Sequence, residues 1–229
     1  MNGGLGEPSG SRFEYPRRPP PVKTQAVWID KRPDRVQING VTNPLNLHAA
    51  TRRKSMMELE GKRVAILVED MFNVFEFWYP FYRLKEAGAA VTVVGTGRSR
   101  RFSGKPATEV TADVDARDAR AADFDGVVIP GGYAPDLMRR DPAMVRLVGD
   151  LYRDGKVVAA ICHAGWVLAS ARILAGRRVT SFFAIKDDLI HAGADWVDQE
   201  VVVDGRLITS RTPDDLPAFM RAVMAALKN

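Results

Sequence analysis

In residues 157–166, VVAAICHAGW, a thiol and an imidazole stand side by side at the end of an apolar run. Cys162 is the only cysteine among 229 residues, so it has no internal disulfide partner and no companion thiolates for a metal. Any special chemistry must come from that one sulfur. Ala164 and Gly165 follow it, and then a helical stretch begins. A reactive side chain on a tight strand-to-helix turn is the arrangement of a nucleophile elbow, in which small neighbours let backbone and substrate approach. The helix beyond would turn its free N–H groups and the positive end of its dipole toward the sulfur, favouring thiolate. His163 could supply or hold a proton. The competing reading is a buried structural cysteine, since free Cys is among the most buried residue types. A position at the carboxyl end of a parallel strand, where open α/β sheets bind ligands, favours the reactive one.

Two other segments carry groups suited to the same chemistry. In residues 129–136, IPGGYAPD, Gly131 and Gly132 could expose consecutive backbone N–H groups, as an oxyanion hole requires; the alternative is an ordinary glycine turn. Glu76 lies near the start of the first helix and so at the same sheet edge. A carboxyl group within hydrogen-bond reach of a thiolate must itself be protonated, or the two charges would repel; otherwise Glu76 is an exposed helical glutamate. The three histidines, His48, His163 and His191, are too scattered for a zinc site. The expected chemistry therefore needs no metal and no other cofactor.

The elements that must hold these residues follow from apolar patterning. Short β-branched runs at 64–68, 91–94, 126–129 and 157–161 read as strands buried on both faces. Helices are expected at 75–87 and 142–153, ended by Gly88 and Gly155, with another at 166–171. Beyond them come a strand at 179–183, a helix at 186–192 and a hairpin at 200–210 turning at Asp204 and Gly205. The last helix, 214–228, has Thr212 or Asp214 as its expected cap. Strand and helix in alternation imply an α/β fold with a mostly parallel sheet and helices on both faces.

Composition bounds the rest. With 46% hydrophobic and 27% charged residues the chain suits an ordinary folded domain. No apolar run reaches the roughly 20 residues of a membrane-spanning helix, and the start lacks the apolar core of a secretory signal, so a cytoplasmic location is expected. The formal charge of +5 raises the question of nucleic acid. Residues 1–55 hold ten Lys or Arg against four acids, net +6, while the remainder holds 23 against 24, net −1. With a nearly neutral body and no binding motif, neither nucleic acid nor a membrane is expected as a partner. Seven of the 14 prolines also fall in those first 55 residues. Residues 1–57 therefore read as a flexible extension and 58–229 as the folded domain. Translation from Met56 or Met57 is an equal alternative.

At these residues the sequence resembles the PfpI intracellular protease family, of the superfamily that includes the Parkinson-associated deglycase. The resemblance runs from about Lys62 to the C-terminus and rests on FDGVVIPGGYAPD, VVAAICHAGW and AIKDDLIHAGADWVDQEVVVDGRLITSR in that order. It implies a flavodoxin-like three-layer sandwich with Cys162 as nucleophile, His163 as its adjacent histidine and Glu76 as the glutamic acid bonded to the cysteine. It also implies a homo-dimer or higher oligomer. Asp136 falls where the family has a glutamate that orients the histidine of a neighbouring subunit, and it is one methylene shorter. Gly131 and Gly132, with the N–H of His163, match the oxyanion-hole region. Asn73 and Phe182 stand where some members carry an acidic residue and a tyrosine, so two proton-transfer groups are missing. The implied activity is attack on a reactive aldehyde, on its protein adduct or on a peptide. Glyoxalase- or deglycase-like chemistry is favoured over peptidase. Two other readings stand beside it: a thiol-based stress sensor or holdase without turnover, and a glutamine amidotransferase. The latter is discounted, because His191 is followed by Ala192 and Gly193 rather than by a nearby glutamate.

Overall fold

The computed structural model describes residues 57–229. The expected extension therefore lies outside the described residues, apart from Met57. In chain order the strands are β1 (Arg63–Val68), β2 (Phe72–Asn73), β3 (Ala90–Gly95), β4 (Arg101–Lys105), β5 (Thr108–Thr111) and β6 (Val114–Asp115). They continue with β7 (Gly126–Ile129), β8 (Val157–Ile161), β9 (Arg178–Val179), β10 (Asp195–Trp196), β11 (Val201–Asp204) and β12 (Leu207–Ser210). The helices are α1 (Val74–Glu86), α2 (Ala134–Met138), α3 (Pro142–Arg153), α4 (Gly165–Ser170), α5 (Lys186–His191) and α6 (Leu216–Lys228).

Seven strands form the central sheet in the order β11-β12-β8-β7-β1-β3-β6. All pair in parallel except β11, which is antiparallel to β12. Every residue of β7 and β8 is buried, as is all of β1 after Arg63, which is why these strands, apart from Gly126 at the start of β7, are runs of Val, Ile, Leu and Ala rather than alternating ones. α1 packs on β1, β3 and α6, while α3 packs on β7, β8 and α4, so each helix group covers one face. The flavodoxin-like sandwich is the architecture observed.

Several details differ from the sequence reading, and α2, β6 and β10 were not anticipated. The strand expected at 179–183 stops at Val179, because the next N–H groups are engaged elsewhere: that of Thr180 donates to Thr209 Oγ1 (2.9 Å) and that of Phe182 to the Cys162 carbonyl (3.2 Å). A 3-10 turn, Phe183–Ile185, takes over. The last helix begins at Leu216, after a 3-10 turn at Pro213–Asp215, and neither Thr212 nor Asp214 caps it by side chain. A small sheet, β2-β4-β5, was not anticipated.

Candidate functional site

Cys162 leaves the carboxyl end of β8 with φ of 63°, a left-handed conformation that side-chain-bearing residues rarely adopt. Such a position costs on the order of 1–3 kcal/mol and persists only where the surroundings enforce it. Here β8 is fully buried on one side of the turn, and the Cys162 carbonyl is held by the Phe182 N–H on the other. This is the elbow the sequence suggested. Gly165 has another use than substrate access: a Cβ there would stand 3.0 Å from both Leu189 methyls, so its smallness lets α4 close on α5. His163 Nδ1 lies 3.3 Å from Cys162 Sγ.

Glu76 is fully buried, so the alternative of an exposed helical glutamate does not hold. Asn73 caps α1, its Oδ1 accepting from the N–H groups of Phe75 (3.0 Å) and Glu76 (3.3 Å). The cap sets the first turn so that Glu76 faces the loop after β7. That loop is tied down in turn: Asn73 N–H donates to Gly131 O (3.1 Å) and Tyr133 N–H to Met71 O (3.0 Å). Gly131 N–H donates to Glu76 Oε2 at 2.7 Å. The expected pair of glycine donors is therefore divided, one bonding the carboxyl group. The backbone N–H groups of Gly132 and His163 are the ones that favour the ionised sulfur. Both glycines are required sterically. A Cβ on Gly131 would sit 2.6 Å from Cys162 Cβ, and one on Gly132, whose φ is 80°, 2.5 Å from Met71 O.

Burial dominates the electrostatics. It pushes Glu76 up to about 7, against the opposing hydrogen bond from Gly131. It pushes Cys162 up to about 12, helped by the Glu76 charge and opposed by the two backbone N–H groups. Burial also lowers His163, leaving the imidazole neutral near pH 7. The expectation that a helix dipole would favour thiolate is thus corrected. Only a 3-10 turn and the six-residue α4 follow the sulfur, and desolvation outweighs them. A carboxylate and a thiolate cannot stand together in this pocket, so the pair carries at most one negative charge near neutrality. The charge reaches sulfur when Glu76 holds the proton. Glu76 Oε1, buried and without a partner, is free to carry it.

Asp136 lies on α2, partly exposed, and pairs with Arg140. Among the described residues no carboxylate lies within ion-pair reach of His163. Its ring is packed instead between Phe182 (centroids 4.9 Å apart) and Trp166 (5.2 Å). Asn73, in place of an acid, is engaged as the helix cap. A cavity of about 470 Å³ between α1 and α6, lined by residues such as Tyr79, Arg83, Met220 and Lys228, contains none of these groups. The chemistry points to the elbow rather than to that cavity. No helix among the described residues is long and apolar enough to cross a membrane.

Comparison with known proteins shows the family and the fold. Residues 62–226 match the DJ-1/PfpI family. The chain is 45% identical over 166 residues to a deglycase of Pyrococcus abyssi, covering 72% of this chain and 99% of that protein. It is 40% identical over 168 residues to the putative cysteine protease YraA of Bacillus subtilis, covering 73% and 99%. A solved two-domain protein of Anabaena variabilis, with DJ-1/ThiJ/PfpI-like and ferritin-like domains, superposes with a TM-score of 0.71 at 46% identity. That match covers 72% of this chain and 48% of the other, so the chain spans about half of the two-domain protein.

Proposed function

Because this chain belongs to the DJ-1/PfpI family, whose members include proteins named as deglycases and as a putative cysteine protease, we propose that it is a thiol enzyme acting on reactive aldehydes or their amine adducts. The observation that carries this reading is the strained Cys162 elbow, with a buried carboxyl group on one side of the sulfur and a neutral imidazole on the other. The neutral imidazole of His163, its Nδ1 3.3 Å from Sγ, takes the thiol proton as the sulfur attacks. The new C–S bond forms as the carbonyl π pair moves onto oxygen, next to the N–H groups of Gly132 and His163. For methylglyoxal the product of this step is a hemithioacetal, its oxygen taking a proton. Moving the proton of that carbon to the neighbouring carbonyl carbon, through His163 Nδ1 or Glu76, while the hydroxyl proton passes to the neighbouring oxygen, gives a thioester. Water then releases lactate and restores the thiol. No step needs an oxidant or a cofactor.

Among the described residues His163 has no carboxylate to orient it. Asp136 is proposed to serve that role in a neighbouring copy of a homo-dimer or larger assembly, after exchanging its Arg140 partner. Lactate formation from methylglyoxal by the full chain tests the reading, beside Cys162→Ser and Asp136→Ala, with assembly mass measured on each sample. Turnover should fall at least about 10³-fold in Cys162→Ser. A loss in Asp136→Ala without dissociation supports the shared site. Peptide cleavage without methylglyoxal turnover would move the assignment to a peptidase. Peroxide-dependent modification of Cys162 without any turnover would make the protein a sensor.

A further inference from the structure

We propose that Phe182 and Phe183 form an aromatic platform at the mouth of the Cys162 site. It selects electrophiles whose reactive carbon lies within a few bonds of a flat aromatic or heteroaromatic group. The proposal deepens the thiol-enzyme reading and rests on it.

Four rings form a row in which His163, beside the sulfur, is the second. Trp166 meets His163 at 5.2 Å between centroids, His163 stacks on Phe182 at 4.9 Å and 29°, and Phe182 meets Phe183 at 4.7 Å. Two contacts fix this row to the nucleophile: His163 Nδ1 is 3.3 Å from Sγ, and the Phe182 N–H donates to the Cys162 carbonyl at 3.2 Å. The inner end of the row is fully engaged. Trp166 Nε1–H donates to Asp188 Oδ2 at 2.7 Å, and Arg139, bonded to Ser170 Oγ, lies over the indole.

The outer end is open. Phe183 is 68% exposed, more than any other large hydrophobic side chain among the described residues. It is not presented by a loose loop, since it opens the 3-10 turn that buries Ile185 and leads into α5, where Leu189 is also buried. A rigid turn therefore holds an uncovered ring one stacking distance from a ring that touches the catalytic imidazole. A tyrosine at 182 would bring a hydroxyl to this surface; phenylalanine leaves it apolar. The methyl of methylglyoxal is too small to cover Phe183, whereas a planar ring attached to the electrophile stacks on it and removes its apolar face from water.

The lone thiol allows a test that needs no turnover. The full chain is alkylated with 2-chloro-N-phenylacetamide and, separately, with 2-chloroacetamide, and intact mass follows the rate. In both reactions the Cys162 sulfur displaces chloride, a C–S bond forms, and the thiol proton goes to buffer. The ratio of the two rates is divided by the same ratio for free cysteine. We expect a preference of about tenfold for the phenyl reagent, falling to within about twofold in Phe183→Ala and retained in Phe183→Trp. A normalised ratio near one in the unmodified protein overturns the platform, as does a preference that survives Phe183→Ala. Failure of methylglyoxal turnover would count against the enzyme reading alone, because alkylation reports on the platform independently.

Discussion

At the amino edge of the central sheet the chain turns on glycines. Gly88, Gly155 and Gly205 adopt φ of 91°, 68° and 62°, and a Cβ at Gly155 or Gly205 would meet nothing within 4 Å. Polar groups there pair in view of solvent, as where Arg63 N–H donates to Asp125 Oδ2 at 2.8 Å. At the carboxyl edge Gly97 and Gly132 adopt the left-handed conformation too, but so do Met71 and Cys162, both at 63°, which carry side chains. Two carboxyl groups, Glu69 and Glu76, are wholly buried at that edge. Each of these features costs free energy, and a sheet can be closed without them, as its other end shows. Strain and desolvation have collected where they hold a sulfur, an imidazole and a carboxyl group in one geometry. The carboxyl edge is organised for chemistry and the amino edge for stability.

The largest test of that contrast is Gly131→Ala. The added methyl would meet Cys162 Cβ at 2.6 Å and Glu76 Oε2 at 2.7 Å, and neither can retreat, since one sits on a strained turn and the other in a sealed pocket. We expect kcat/KM for methylglyoxal to fall at least about 100-fold through displacement of reacting groups. Near-normal turnover would mean that the loop after β7 yields, and the proposed rigidity of this edge would be lost.

Sequence patterning makes the inner strands and the elbow legible, because both rest on local signals: unbroken apolar runs, and a cysteine followed by small residues where such a run ends. Glu76 was legible only as a candidate. Its burial depends on a partner 55 positions away, and the Asn73-x-x-Glu76 spacing resembles a capping box, in which the glutamate would fold back on its own helix. Instead the side chain crosses to Gly131. The β2-β4-β5 sheet escaped notice because its strands are two to five residues long and mostly exposed, so they leave little apolar period to read. Residues 179–183 have the composition of a strand, yet Thr180 and Phe182 give their N–H groups to Thr209 and to the elbow. Tertiary contacts override propensity most often near the site; Asp136 meets Arg140 within one chain, and its implied role lies toward a neighbouring copy.

A second test separates the edges by pH. Glu76 titrates near 7 in the folded protein against 4.5 ordinarily, so between those values the folded state binds the proton more tightly than the unfolded chain. The stabilisation is complete below about pH 4.5 and is lost as pH rises through about 7, amounting to about 3 kcal/mol. Glu76→Gln cannot titrate. The stability difference between the two proteins, measured by denaturant unfolding at pH 4.5 and pH 8, should therefore shift by about that amount in favour of the variant at the higher pH. A difference independent of pH would show that the carboxyl group is not desolvated by its pocket.

The smallest effect is expected at the opposite edge. Gly155 ends α3 with φ of 68° and open space around it, so alanine there meets no clash and bears only the cost of the left-handed backbone. That cost is about 1 kcal/mol. Gly155→Ala should lower unfolding stability by about that much and leave kcat/KM within twofold of the parent. The comparison with Gly131→Ala is direct: the same methyl is added at each end of the sheet, one beside the strained sulfur and one in solvent. If Gly155→Ala instead reduced turnover in proportion to its loss of stability, the site would depend on the global stability of the fold, and the division of labour between the two edges would fail.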